Sequence, residues 1–128
     1  MIPEYHHIAR LVNRQDWFDG EHNMLNEQAF MRNRKREPSI SVLHYELTSL
    51  AEIFNISDNY IYPNPKKRCF GLGKIAVSDV HKCSKYTKIK PSPSKYITCH
   101  CDVETDLEDQ VLAAYLAEVA IWVPRVSK

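Results

Sequence analysis

The chain has 128 residues, an apolar fraction of 44%, a charged fraction of 26% and a net charge of +1. This is the length of a single domain, spanning residues 1–128, which can bury enough surface to fold without a disulfide or a metal ion. No segment has the length and apolarity of a signal peptide or a membrane span, so we expect a soluble, cytoplasmic protein with no membrane partner.

The first half of the chain predicts two strands and one short helix. Residues 6–13 contain several β-branched and apolar side chains and favour a first strand. Residues 39–47 alternate in polarity with a period of two residues, which is typical of a strand. The pattern Ser49-x-x-Glu52 has the form of a capping box and predicts a helix through Phe54.

The second half predicts three further strands, over residues 71–77, 86–90 and 96–103. Ser78 followed by Asp79 would cap a helix of one or two turns between the first two of these strands. The alternation of strands with short helices indicates an α+β fold. We expect a small mixed, mostly antiparallel sheet of four or five strands, with one or two short helices against it.

The clearest predicted element is a long C-terminal amphipathic helix over residues 105–123, which would cover the sheet. Thr105-x-x-Glu108 resembles a second capping box, and acidic side chains crowd the first turn, where the helix dipole favours them. Pro124 would end the helix. The apolar stripe of this helix comprises Leu107, Val111, Leu112, Tyr115, Leu116, Val119 and Trp122.

Charge is distributed unevenly along the chain. Residues 59–101 carry 9 basic and 1 acidic side chain, whereas residues 102–128 carry 2 basic and 6 acidic. Tyrosines and a phenylalanine are interleaved with these cations. Basic side chains displace the counterions of phosphate backbones, and exposed aromatic rings stack on bases.

This pattern favours a non-enzymatic binding module whose partner is anionic, either a nucleic acid or an acidic protein. No cofactor is required, and the oligomeric state is open. The alternative is that the acidic start of the C-terminal helix neutralises the basic segment in the fold. The contact candidates are Arg34, Lys35, Arg36, Lys66, Lys67, Arg68, Lys82, Lys85 and Lys88.

A zinc-stabilised interaction domain is another possibility. His81-x-Cys83 and Cys99-x-Cys101 supply the kind of donor set that zinc prefers. On a strand, Cys99 and Cys101 would point to the same face. The spacing differs from the common C-x₂-C loop, and buried free thiols are the competing interpretation, so we assign no metal ligands.

A third hypothesis is enzymatic. Arg10 on the first strand, Ser39-Ile-Ser41 opening another, and Asp102-Val-Glu104 ending a late strand follow one another in the chain. This order resembles the Arg…Ser-x-Ser…Glu-x-Glu pattern of ADP-ribosyltransferases, with Asp in place of the first acid. The resemblance implies that Arg10 holds the NAD phosphates, that the serines brace the pocket and that Glu104 steadies the ribosyl cation. Alternatively, these residues are ordinary surface and strand-edge side chains.

Overall fold

The computed structural model describes residues 2–31 and 39–125. Eight strands occur in the described chain, and the two shortest form a separate hairpin. The strands are β1 (His7–Val12), β2 (Phe18–Asp19), β3 (Met24–Leu25), β4 (Ser39–His44), β5 (Gly71–Ala76), β6 (Lys88–Pro91), β7 (His100–Glu104) and β8 (Ile121–Pro124). The helices are α1 (Leu50–Ile56), α2 (Val77–His81) and α3 (Asp109–Val119), with a π-helical turn over Ser57–Ile61. Single 3₁₀ turns lie at Gln15–Trp17, Glu27–Phe30, Tyr45–Leu47 and Pro65–Lys67.

The main sheet has six strands in the order β6-β7-β4-β1-β5-β8, and all of its neighbouring pairs are antiparallel. The prediction of an α+β fold with a mostly antiparallel sheet is therefore confirmed, although the sheet is larger than the four or five strands expected. The strand missing from the prediction is β8.

Both faces of the sheet are covered, because β1 alternates between two cores. Ile8 and Val12 join the cluster that includes α2 and α3. Ala9 and Leu11 join the cluster beneath α1. A strand that is buried on both faces is apolar almost throughout, which is why residues 8–12 show no polar alternation.

β1 pairs unequally with its two neighbours. It is in register with β5 along its whole length, from His7 opposite Ala76 to Val12 opposite Gly71. With β4 it shares only the pairs Ile8–His44 and Ala9–Leu43. Beyond Ala9 the two strands separate, and we call this gap the seam.

Ser49 caps the first helix as predicted, through the hydroxyl half of the expected capping box. Ser49 precedes α1, and its hydroxyl accepts a hydrogen bond from the Glu52 amide at 3.2 Å. The helix continues to Ile56, slightly beyond the predicted end, and then loosens into the π-helical turn. In this turn Asp58 is bound by Arg125, which follows β8.

The long C-terminal helix was predicted wrongly. α3 has 11 residues, beginning at Asp109 and ending at Val119. Thr105 does not cap it, because its hydroxyl accepts from the Leu107 amide at 3.1 Å and bonds the Thr87 hydroxyl at 2.7 Å. No helix in residues 2–31 and 39–125 is long and apolar enough to cross a membrane.

The residues after α3 form β8, which pairs with β5 at the edge of the sheet. Trp122 stacks on Phe18 with ring centroids 4.6 Å apart and lies over Gly71. A Cβ atom at position 71 would lie 2.1 Å from the Trp122 ring, so only glycine leaves room for this ring. Trp122 therefore packs at the edge of the sheet and is not part of an apolar stripe on a helix.

Candidate functional site

The seam is bridged by the side chain of Arg10, which is 7% exposed. Its Nε donates to the carbonyl of Ala29 at 3.0 Å, Nη1 to that of Ser41 at 2.8 Å, and Nη2 to that of Met31 at 2.9 Å. These carbonyls belong to two separate chain segments. The planar guanidinium, whose N–H groups point in fixed directions, thus replaces ladder hydrogen bonds where β1 and β4 part.

A crevice of about 60 Å³ opens at this seam on the α1 side of the sheet. We call it the seam crevice. Its floor is formed by β1 and β4, including Arg10 and Ser41, and its walls by Tyr62 and His100. This volume is smaller than the roughly 150 Å³ cavity that holds a benzene ring, so the crevice would have to widen to admit a planar ring, and it is far too small for a dinucleotide.

Two ionisable side chains face the crevice. Burial raises the pKa of Tyr62, and the charge of Arg10 partly offsets this effect. His100 Nδ1 lies 3.1 Å from the Ser92 carbonyl and 2.7 Å from the Ser92 hydroxyl. Because a carbonyl only accepts, the contact with the Ser92 carbonyl requires a proton on Nδ1.

The three strands that carry the enzymatic motif lie side by side, in the order β7-β4-β1. Ser41 is directly opposite Asp102, and Ser39 is directly opposite Glu104. Directly paired residues point to one face of a sheet, and here that is the face of the seam crevice. Glu104 also lies 3.7 Å from Lys88 on β6.

The fold divides the basic segment. Lys66 and Lys67 are exposed in the 3₁₀ turn that leads to β5. Lys82 and Lys85 lie between α2 and β6, and Lys88 begins β6. Four strand spacings separate β5 from β6, or about 19 Å. The candidates therefore do not form one continuous stripe across the sheet.

Several candidate cations have acidic neighbours. Arg68 lies 3.8 Å from Asp58, and Lys82 lies 4.0 Å from Asp79. With the Lys88–Glu104 contact, these pairs partly neutralise the segment. Arg34, Lys35 and Arg36 fall outside the described residues, and nothing is stated of their structure.

Two exposed tyrosines form a small stacked aromatic pair. Tyr60 and Tyr96 are 51% and 58% exposed. Their rings stack with centroids 5.0 Å apart and an interplanar angle of 13°. The ammonium of Lys95 lies 5.3 Å from the centre of the Tyr96 ring.

The proposed zinc donors do not come together. His81 Nδ1 lies 2.6 Å from Glu4, while Cys99 and Cys101 are buried in opposite cores. Cys99 precedes β7, which starts at His100, so the expected shared strand face does not exist. Burial raises the pKa of the Cys101 thiol to about 11, which disfavours the thiolate that zinc requires.

Sequence reasoning missed a different grouping, in which His6, His44 and Glu46 meet.

Comparison of the chain with protein-family models, with curated proteins and with solved structures finds no match. The seam crevice and the residues around it are therefore the basis of the proposed function.

Proposed function

We propose that this chain is a small ADP-ribosyltransferase-like enzyme that takes the nicotinamide end of NAD into the seam crevice. The observation that carries the proposal is that the strands bearing three motifs far apart in the sequence are neighbours, with the serines and acids on the crevice face and the Arg10 side chain directed to the other face. Arg10, Ser41 and Asp102 belong to β1, β4 and β7, which are neighbours, and Glu104 ends the last of them.

The walls of the crevice suit a planar ring. Tyr62 offers an aromatic wall for stacking, and Leu43 adds apolar surface. Because β1 and β4 pair only at Ile8–His44 and Ala9–Leu43, the crevice extends between the two strands beyond Ala9.

The remainder of the dinucleotide would lie along the open sheet face. Lys88 is directly opposite Glu104 and Lys90 is directly opposite Asp102, so both lysines project from this face. Their ammonium groups would meet the pyrophosphate. This role differs from the one that the resemblance implies for Arg10, whose guanidinium is committed to backbone carbonyls and acts to position β1 against β4.

In the reaction, the bond between the nicotinamide nitrogen and C1′ of the ribose breaks, and nicotinamide leaves with the electron pair. A nucleophile of the acceptor forms a new bond to C1′ and releases its proton. Glu104, whose side chain is 34% exposed, would face the positive charge that develops on the ribose. Ser39, directly opposite, is in position to orient this carboxylate.

The test compares Glu104→Gln with Glu108→Gln, a matched change at an exposed glutamate just before α3. We expect NAD to raise the melting temperature of the wild type and of both variants. Nicotinamide release should be lost only in Glu104→Gln. If NAD changes neither melting temperature nor nicotinamide release in the wild type, the proposal is wrong.

A second candidate function is the binding of an anionic partner, of which single-stranded nucleic acid is favoured by the exposed Tyr60–Tyr96 stack beside Lys95. Fluorescence anisotropy with a labelled oligonucleotide at low salt would measure it. Tyr96→Ala should weaken binding, and added salt should abolish it. Equal anisotropy with and without protein at low salt would exclude this function.

A further inference from the structure

A cluster of nitrogen and oxygen donors lies where the N-terminal segment crosses the end of β4. His6 comes just before β1, His44 ends β4, and Glu46 is in the 3₁₀ turn that follows. One donor atom from each of these side chains lies within 4.8 Å of the other two. His6 Nδ1 and His44 Nε2 are 2.8 Å apart. None of these residues lines the seam crevice.

The donor set suits a divalent transition metal. Two imidazole nitrogens and one carboxylate oxygen form a common three-ligand combination that leaves a position for water. With metal–nitrogen bonds of about 2.0–2.1 Å, two nitrogens on a tetrahedral ion are about 3.3 Å apart. The two imidazoles of the cluster would therefore have to separate by about half an ångström. Small side-chain rotations supply a change of this size.

The carboxylate of the cluster is held in place by His7. The His7 backbone N–H donates to Glu46 Oε1 at 2.6 Å, and its Nδ1 lies 2.6 Å from Oε2. A carboxylate has further lone pairs beyond the two used here. Hydrogen bonds of this kind from a second layer of residues orient metal ligands and increase their basicity.

The buried imidazole of the cluster is suited to act as a ligand at neutral pH. His44 is 6% exposed. Burial lowers its pKa, the neighbouring His6 lowers it further, and Glu46 opposes this shift. The neutral ring keeps the lone pair that a metal needs.

We propose that His6, His44 and Glu46 form a binding site for one divalent transition-metal ion of the zinc class, completed by water. The ion would tie the segment before β1 to the end of β4. This site is independent of the proposed activity, because it shares no residue with the seam crevice or the catalytic motif.

A second donor group serves as a control. Asp19, Glu21 and His22 also lie within 4.8 Å of one another, but all three are exposed. His22 Nδ1 already lies 2.6 Å from Asp19 Oδ2 in this turn. Exposed acidic groups of this kind are common without a metal, and we assign no ion to them.

The experiment uses the untagged full chain, stripped with EDTA and exchanged into metal-free buffer. Zn²⁺ is titrated by calorimetry, and Co²⁺ binding is followed by its visible absorption bands. We expect one equivalent to bind and the melting temperature to rise. Glu46→Gln and His44→Asn should each weaken binding about tenfold or more, whereas His22→Asn should not.

Glu46 has a 28% exposed side chain, so Glu46→Gln keeps the proposal testable if His44→Asn fails to fold. Three results would overturn the proposal. They are the absence of stoichiometric binding, unchanged affinity in Glu46→Gln, and loss of affinity in His22→Asn. None of these three results would change the outcome of the nicotinamide-release assay. The metal site and the proposed activity are therefore tested independently.

Discussion

Replacement of Arg10 by lysine tests whether the guanidinium holds the seam together. The three described bonds go to carbonyls of Ala29, Met31 and Ser41. Lysine keeps the charge, but its donors radiate from one nitrogen and cannot span three acceptors so placed. At least two of the bonds are lost, and their carbonyls, which are at least partly buried, lose this donor.

The expected cost follows from these two bonds. A hydrogen bond to a charged group contributes about 1.5–3 kcal/mol, so the free energy of unfolding should fall by about 3 kcal/mol or more. A domain of ordinary stability, about 5–15 kcal/mol, still folds after such a loss. Urea denaturation followed by circular dichroism measures the difference.

Arg14→Lys is the matched control, because the Arg14 side chain is 62% exposed, bonds nearby Asp16 and lies 5.9 Å from the centre of the Trp17 ring, and makes no buried hydrogen bond among the described contacts. It should change stability by less than about 0.5 kcal/mol. If Arg10→Lys costs less than about 1 kcal/mol, the guanidinium does not hold the seam and the reasoning is refuted.

Three further substitutions or conditions have definite expected outcomes. Gly71→Ala should cost about 1–3 kcal/mol and change the fluorescence of Trp122, because the added methyl group overlaps the indole. Asp58→Asn should cost about 1–2 kcal/mol by removing the paired bonds from Arg125. That bonding lowers the pKa of Asp58 below 3.8, so the contribution is present above this pH and is lost on acidification. The lowered pKa of His44 affects stability in the same direction. The free energy of unfolding should be highest above pH 6.5 and should fall as the pH decreases through the lowered pKa.

Each of these three expectations has its own control. Gly20→Ala should be neutral, because its Cβ would meet only Phe18 at an ordinary 3.7 Å. Asp16→Asn, at an exposed pair, should leave stability nearly unchanged. In metal-free buffer, His44→Asn should flatten the stability curve below pH 6.5 relative to wild type. A curve of unchanged slope would contradict the assignment.

Local patterns predicted which elements form more accurately than they predicted where each element ends. The Ser49 capping box and the alternation after Ser39 are short-range signals, and both elements formed. Thr105 failed as a cap because its hydroxyl is engaged by Thr87, a residue distant in the sequence. A helical period read through residues 121–123 concealed a run of β-branched and aromatic side chains that pairs with β5.

The candidate site was accessible from the sequence only in part. The motif named Arg10, Ser41 and Glu104, but their proximity depends on strand order, which no local pattern encodes. The contact between His6 and His44 joins residues 38 positions apart. It could not be distinguished beforehand from the pairings of the other histidines. A count of charges along the chain likewise could not show that β5 and β6, near which the lysines lie, are separated by four strand spacings.

The strand order also bears on how quickly the chain folds. Residue 7 pairs with residue 76, residue 39 with residue 104, and residue 71 with residue 124. Within the main sheet, only β6 and β7 form a hairpin between strands that are close in the sequence. Closing such large loops before any contact is gained is entropically costly, and proteins dominated by these pairings fold in milliseconds to seconds. β1 lies inside the sheet, between β4 and β5, and both partners come from later parts of the chain. We therefore expect slow folding, because β1 cannot pair until these later segments reach it.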